Sequence, residues 1–127
     1  AILGAVHAMA HSLGGLLDLP HGECNGLLLN HVVDFNYSST PDKFNKISEI
    51  IGIKMHNYSS QEKKLILFDK LQELKESIGI IKSLKELGVR ESDIPLLAHN
   101  ALNDACIITN PREAAKEDIE KIFYKAM

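Results

Sequence analysis

Residues 4–36 read GAVHAMAHSLGGLLDLPHGECNGLLLNHVVDFN, and this run constrains the fold more than any other part of the chain. Its first half predicts a helix over residues 1–17 with Ala, Val, Met and Leu on nearly every side. A helix that is apolar all round cannot face water, so it must lie inside a larger body. Gly14-Gly15 is a place where it loosens or ends. Leu19-Pro20 then breaks the helix, because the residue before a proline avoids the helical region. His21-Gly22 opens a second apolar helix over about Glu23–Phe35, with Glu23 complementing the helix dipole in its first turn. Two such helices predict a bundle with themselves at its centre.

The remaining segments supply the wrapping. Ser38-Ser39-Thr40-Pro41-Asp42 predicts a hydroxyl-capped helix start with proline in the first turn, running to about Ile51 and stopping at Gly52. Lys54–Ser60 is polar and reads as a loop. Over Gln61–Ser77 the residues Leu65, Phe68, Leu71, Leu74 and Ile78 recur at three- and four-residue spacing, the mark of an amphipathic helix. Ser83–Leu87 reads as a short helical turn closed by Gly88. Ser92-Asp93-Ile94-Pro95 starts a helix carrying Leu96, Leu97, Ala101, Leu102 and Ala105. Thr109–Arg112 reads as a loop, and Lys116–Lys125 as a last helix burying Ile119, Ile122 and Phe123. No segment reads as a strand or an internal repeat. The fold class is all-α, a bundle of about six or seven helices, with connections of ordinary length for such a bundle.

With 127 residues the chain can bury one core. A net charge of −3 without a basic stripe argues against nucleic acid as a partner, and no helix presents the basic face of a helix-turn-helix reader. No apolar run is long enough to span a bilayer. The opening AILGAVHAMAHSLGG lacks a basic n-region and carries histidines, so it does not read as a signal peptide. Cys24 and Cys106 lack metal-type spacing and are expected to be reduced and buried, which points to the cytoplasm. Ala1 already lies in an apolar helical pattern with no cap before it. That is expected of a piece of a longer protein.

Four of the six histidines, His7, His11, His21 and His31, sit in the apolar run. Imidazole is the commonest metal-ligating side chain and titrates near neutrality. His7 and His11 are four apart and share a helix face, so one metal ion can take both. The zinc-protease motif needs glutamate after the first histidine, and Ala8 stands there instead. His21 follows the Pro20 break and can turn back toward the first helix. Spacing alone therefore allows a site from one or both of His7 and His11 together with His21. His31 is expected to donate to a backbone carbonyl, His56 to face solvent, and His99 to be a core or interface group. Asn25, Asn36 and Asn110 read as cap or turn residues.

The run His7-x-x-x-His11-x-x-Gly14-Gly15, then Pro20-His21-Gly22, then Asn25 through His31 and Asn36, resembles the iron-containing (group III) alcohol dehydrogenases. The tail agrees in order and spacing: Leu84-x-x-Leu87-Gly88-Val89, Ala101-Leu102-x-Asp104-Ala105, Thr109-Asn110-Pro111-Arg112 and Asp118-Ile119. The resemblance covers essentially the whole chain. It departs at Asn30, where the family commonly has proline, a change expected to alter only a helix bend.

The resemblance implies the C-terminal all-α domain of the dehydroquinate synthase-like and iron-containing alcohol dehydrogenase fold, spanning residues 1–127. It also implies an N-terminal nucleotide-binding domain that this chain lacks, with the active site in the cleft between the two. A divalent metal, Fe²⁺ or alternatively Zn²⁺, would be held by one Asp and three His. His7 and His21 match two of those ligands. His11 matches a position beside the nicotinamide and the substrate, so it carries the catalytic and cofactor-binding roles. The other two ligands would lie upstream of residue 1, and none of Asp18, Asp34 or Asp104 is assigned to fill the gap. NAD or NADP would accept hydride from a primary or other small alcohol, giving an aldehyde. Leu13, Leu16 and Leu17 would wall the site against water, and the parent would be a homo-oligomer. The chain alone is expected to be inactive. Two other readings are a non-catalytic helical interaction module and a zinc-dependent enzyme like glycerol dehydrogenase.

Overall fold

The computed structural model describes residues 3–127. Six α-helices follow one another: α1 (Ala5–Leu17), α2 (His21–Asn36), α3 (Pro41–Ile50), α4 (Ser60–Ser77), α5 (Ile94–Leu102) and α6 (Lys116–Ala126). Short 3₁₀ turns cover Tyr37–Ser39, Glu91–Asp93 and Ala105–Thr109. There is no strand among the described residues. The first two residues of the helix expected over 1–17 lie outside the described residues, and α1 itself starts after Gly4.

α1 packs on α2 and α5, α2 also packs on α4 and α6, and α5 packs on α6. The two apolar helices therefore do form the centre. α1 buries Ala5, Ala8, Met9, Ser12 and Leu13, a stripe at three- and four-residue spacing. The small Ala5 and Ala8 let neighbouring backbones approach, and the Ser12 hydroxyl is satisfied by donating 2.7 Å to the Leu97 carbonyl of α5. Leu28 and Val32 of α2, Leu97 of α5, and Ile119 and Phe123 of α6 complete one core. Each such fully buried side chain contributes about 1.5–3 kcal/mol relative to exposure. Gly26 of α2 packs against the tip of the Ile80 side chain, which would have to shift to admit a methyl group there.

Several local expectations are corrected. Gly14-Gly15 does not end α1, which runs on to Leu17 and stops where Asp18 turns left-handed at φ 54°. α2 begins at His21, with Pro20 at its cap position. Thr40 makes no capping hydrogen bond to α3, although Pro41 does occupy the first turn. The α4 start has a capping box: Ser59 Oγ accepts from the Glu62 N–H, and the Glu62 carboxylate accepts from the Ser59 N–H. Residues 84–88 form overlapping turns and no α-helix. α5 ends at Leu102, leaving Ala105 exposed on the following 3₁₀ turn.

The largest correction concerns α4. Leu65, Leu74 and Ile78 are exposed, whereas Leu67 and Lys75 are buried. α4 covers only the outer side of α2, so a narrow stripe of it is enclosed. That stripe follows Leu67, Leu71 and Lys75 at four-residue spacing. Asn30 likewise does more than alter a bend. It is fully buried, and its side chain bonds to both Gln72 and Lys75 of α4.

Candidate metal centre

α1 and α2 meet at a sharp reversal, and three histidines gather there. His7 and His11 lie one turn apart on the face of α1 opposite its core stripe, and His21 is the first residue of α2. Ring centroids are 5.3 Å apart for His7 and His21, 5.2 Å for His11 and His21, and 6.3 Å for His7 and His11. The structure thus brings together all three residues singled out in the sequence. His31, His56 and His99 are elsewhere. His31 packs edge-on against Phe68 and does not bond a carbonyl, and His56 is exposed as expected. His99 is exposed on α5, not in a core, where its Nε2 accepts from the Asn103 amide at 3.1 Å.

The three imidazoles differ electrostatically. His7 Nδ1 is buried and has no hydrogen-bond partner. Burial first, then the neighbouring His21 and His11, push its pKa below the ordinary histidine range. A neutral ring with a sheltered, unengaged nitrogen is what a metal ligand requires. His21 Nε2 accepts from the Asn25 Nδ2–H group at 2.8 Å, one helical turn along α2. A metal at His21 would take Nδ1, or take Nε2 by displacing this amide. Two imidazoles are a donor set suited to iron or zinc.

His11 is tied differently. Its Nδ1–H donates 2.9 Å to Asp104 Oδ2, an oxygen that can only accept. That bond fixes the orientation of the ring and turns Nε2 away from Asp104. The Asp104 carboxyl is held below the usual range, first by the Cys106 backbone N–H and then, against a burial penalty, by His11. Cys106 Sγ joins them, so that a nitrogen, an oxygen and a sulfur lie within 4.8 Å of one another. Both carboxylate oxygens accept hydrogen bonds within the chain, Oδ1 from the Cys106 N–H and Oδ2 from His11.

Asp104 stood in the resembling tail motif without an assigned role, and its pairing with His11, 93 residues away, was not legible in the sequence. Asn36 and Asn110 stand at element ends as expected, Asn36 closing α2 and Asn110 following the Ala105–Thr109 turn. These form a reciprocal amide pair, and Asn110 Oδ1 further accepts from the Ala5 N–H at the start of α1. Cys24 is buried as expected, but Cys106 is only half-buried. Leu13 is enclosed in the core and cannot line the site, and Leu16 is partly exposed.

The role of Asp104 is testable. In the full-length protein, Asp104→Asn is expected to lower kcat/KM about tenfold while leaving metal content unchanged, since it loosens the orientation of His11 without touching a ligand. The acid limb of the kcat/KM pH profile should move as well. A profile and rate equal to wild type would show that Asp104 only caps the 3₁₀ turn.

Comparison with known proteins identifies the family. The description "Fe-containing alcohol dehydrogenase family, C-terminal" matches residues 1–127. Lactaldehyde reductase of Escherichia coli strain K12 is 40% identical over 124 residues, covering 98% of this chain and 32% of that protein. The 1,3-propanediol dehydrogenase of Citrobacter freundii is 41% identical over 126 residues, covering 99% and 33%. An alcohol dehydrogenase structure from Oenococcus oeni superposes with a TM-score of 0.93 at 40% identity, covering 100% of this chain and 33% of that one. The chain therefore spans about a third of the length of the relatives it matches. On this similarity of sequence and structure, the chain belongs to the Fe-containing alcohol dehydrogenase family and carries its C-terminal helical region.

Proposed function

We propose that this chain is the metal-binding helical domain of a metal-dependent, NAD(P)-linked alcohol dehydrogenase acting on small alcohols and their aldehydes. The observation that carries this reading is the convergence of His7, His11 and His21, with the buried His7 Nδ1 left without a protein partner. Fe²⁺, or Zn²⁺ as the alternative, supplies Lewis acidity toward an alcohol oxygen when bound, and a nicotinamide supplies the hydride acceptor. His7 and His21 hold the ion. The remaining Asp and His ligands and the dinucleotide site come from an N-terminal domain, in keeping with the length of the relatives. His11, oriented by Asp104, presents Nε2 to hold and pass the proton released as the alcohol is oxidised. The names of the relatives, a lactaldehyde reductase and a 1,3-propanediol dehydrogenase, support a short-chain alcohol or diol as substrate. Free Cys24 and Cys106 support a cytoplasmic setting. Exposed Ile47, Ile50, Leu65 and Leu74 on α3 and α4 support a homo-oligomer.

The untagged full-length protein should carry about one iron or zinc ion per chain and reduce NAD(P)⁺ with 1,3-propanediol or 1,2-propanediol. Chelation should abolish turnover, and readdition of the same metal should restore it. Full activity in rigorously metal-free protein would overturn the proposal.

A further inference from the structure

Lys75 is an unusual residue to enclose. It is 8% exposed, and its ammonium donates to the Leu27 carbonyl and to Asn30 Oδ1, each at 2.8 Å. Both acceptors are neutral, and an ammonium has a third N–H. No carboxylate pairs with Lys75 among the described residues. The position is built deliberately. Asn30 is fully buried and donates to Gln72 Oε1 at 2.8 Å, which turns its carbonyl oxygen toward Lys75. Burial pushes the Lys75 pKa down, with Glu76 opposing, and an anion in the adjoining cleft would favour the charged ammonium.

The surroundings supply a place for one. A cleft of about 230 Å³ opens between α2, α4, α6 and the segment 80–83, lined by Lys75, Lys82, Lys125, His31, Gln72 and Ser83 among others. No Asp or Glu lines it among the described residues. Two carboxylates outside the lining reach residues of the cleft, and an anion would compete with Asp34 for Lys125. Asp34 pairs with Lys64 at 3.6 Å and with Lys125 at 3.8 Å, and Glu76 accepts from Gln72. The positive field registers on His31, whose pKa is pushed down to about 4 by burial first and then by Lys75 and Lys125, with Asp34 opposing. Ser83 Oγ accepts from the Glu86 N–H, which leaves its hydroxyl hydrogen free to donate into the cleft.

We propose that this cleft is a binding site for a small tetrahedral oxyanion of the phosphate class, held by the ammonium groups of Lys75, Lys82 and Lys125. The site is separate from the metal centre, since His31 lies ten residues beyond His21 on α2, about 15 Å along the helix. The ligand is either free phosphate or the phosphoryl group of a small ester, and both present the same oxygens.

The test is calorimetric titration of the full-length protein with inorganic phosphate and, separately, glycerol 3-phosphate, at ionic strength held constant with sodium chloride. The expected result is saturable binding with a dissociation constant of about 1 mM or tighter. Tighter binding of inorganic phosphate assigns the free anion, and tighter binding of glycerol 3-phosphate assigns the ester. Lys82→Gln/Lys125→Gln should weaken binding about tenfold or more, because two charge-assisted contacts are lost. Both residues are exposed, so this variant tests the site even if Lys75→Met fails to fold. Absence of saturable binding for both probes, or unchanged affinity in the folded double variant, would overturn the proposal.

Discussion

His7→Ala in the full-length protein should lose the bound metal and at least about a thousandfold in kcat, and His21→Ala should do the same. The expectation rests on how the two rings are placed. Their centroids are 5.3 Å apart on two helices joined by a tight reversal, and His7 Nδ1 is sheltered from water with nothing in the chain to bond it. Removing either ring takes away one of few strong donors, and the several kcal/mol of charge stabilisation that a Lewis acid supplies goes with the ion. The double variant should be no worse than either single one, since residues that act as a unit are not additive. His11→Ala should behave differently. It should retain metal and lose roughly ten- to a hundredfold in rate, because its Nδ1 is committed to Asp104 and its role is the proton. Elemental analysis beside steady-state rates separates these outcomes. Stoichiometric metal in His7→Ala would exclude His7 as a ligand.

The parts of this centre that were legible in the sequence are those set by local spacing. A four-residue interval puts His7 and His11 on one helix face, and a proline break followed by His21 places that ring at the mouth of the next helix. The central position of α1 and α2 followed from their composition, because helices so apolar have nowhere else to go. What stayed hidden depends on pairings across the fold. Nothing near Asp104 in the chain signals that it will meet His11, and nothing near Asn36 signals Asn110, 74 residues away. α4 shows the other limit. Leu65, Leu74 and Ile78 form a regular apolar stripe, but periodicity does not say which stripe will be covered. The packing of α4 against α2 enclosed Leu67 and Lys75 instead. The capping box at Ser59–Glu62 was readable and overlooked, since Ser59-x-x-Glu62 directly precedes the apolar positions of α4.

Asn110→Ala should destabilise the protein by about 2–4 kcal/mol and reduce both metal retention and rate, although Asn110 touches neither substrate nor ligand. Its amide makes four bonds. Oδ1 accepts from the Ala5 N–H at 3.2 Å and from Asn36 Nδ2 at 3.0 Å, while Nδ2 donates to Asn36 Oδ1 at 2.8 Å and to the Arg112 carbonyl at 2.6 Å. The Ala5 N–H is one of the first-turn donors that α1 cannot satisfy itself, so Asn110 caps α1 from the far end of the chain. Gly4, at φ 82°, adds a second tie by donating 2.8 Å to the Cys106 carbonyl. Arg112 adds a third, donating to the Phe35 carbonyl and lying 4.1 Å over the Phe35 ring. The segment 104–112 therefore clamps the start of α1 to the end of α2, and His7 stands only two residues past Ala5. Losing the amide costs about 1 kcal/mol for the cap and about 1–3 kcal/mol for the buried Asn36 amide left unpaired. Asn110→Asp keeps the acceptor for Ala5 and should cost less. If the pair is the cause, Asn110→Ala should cost about 1 kcal/mol or more less in an Asn36→Ala background than in wild type. Denaturant melts of the four proteins measure that coupling. An additive cycle would mean that the two amides are neighbours and not a clamp.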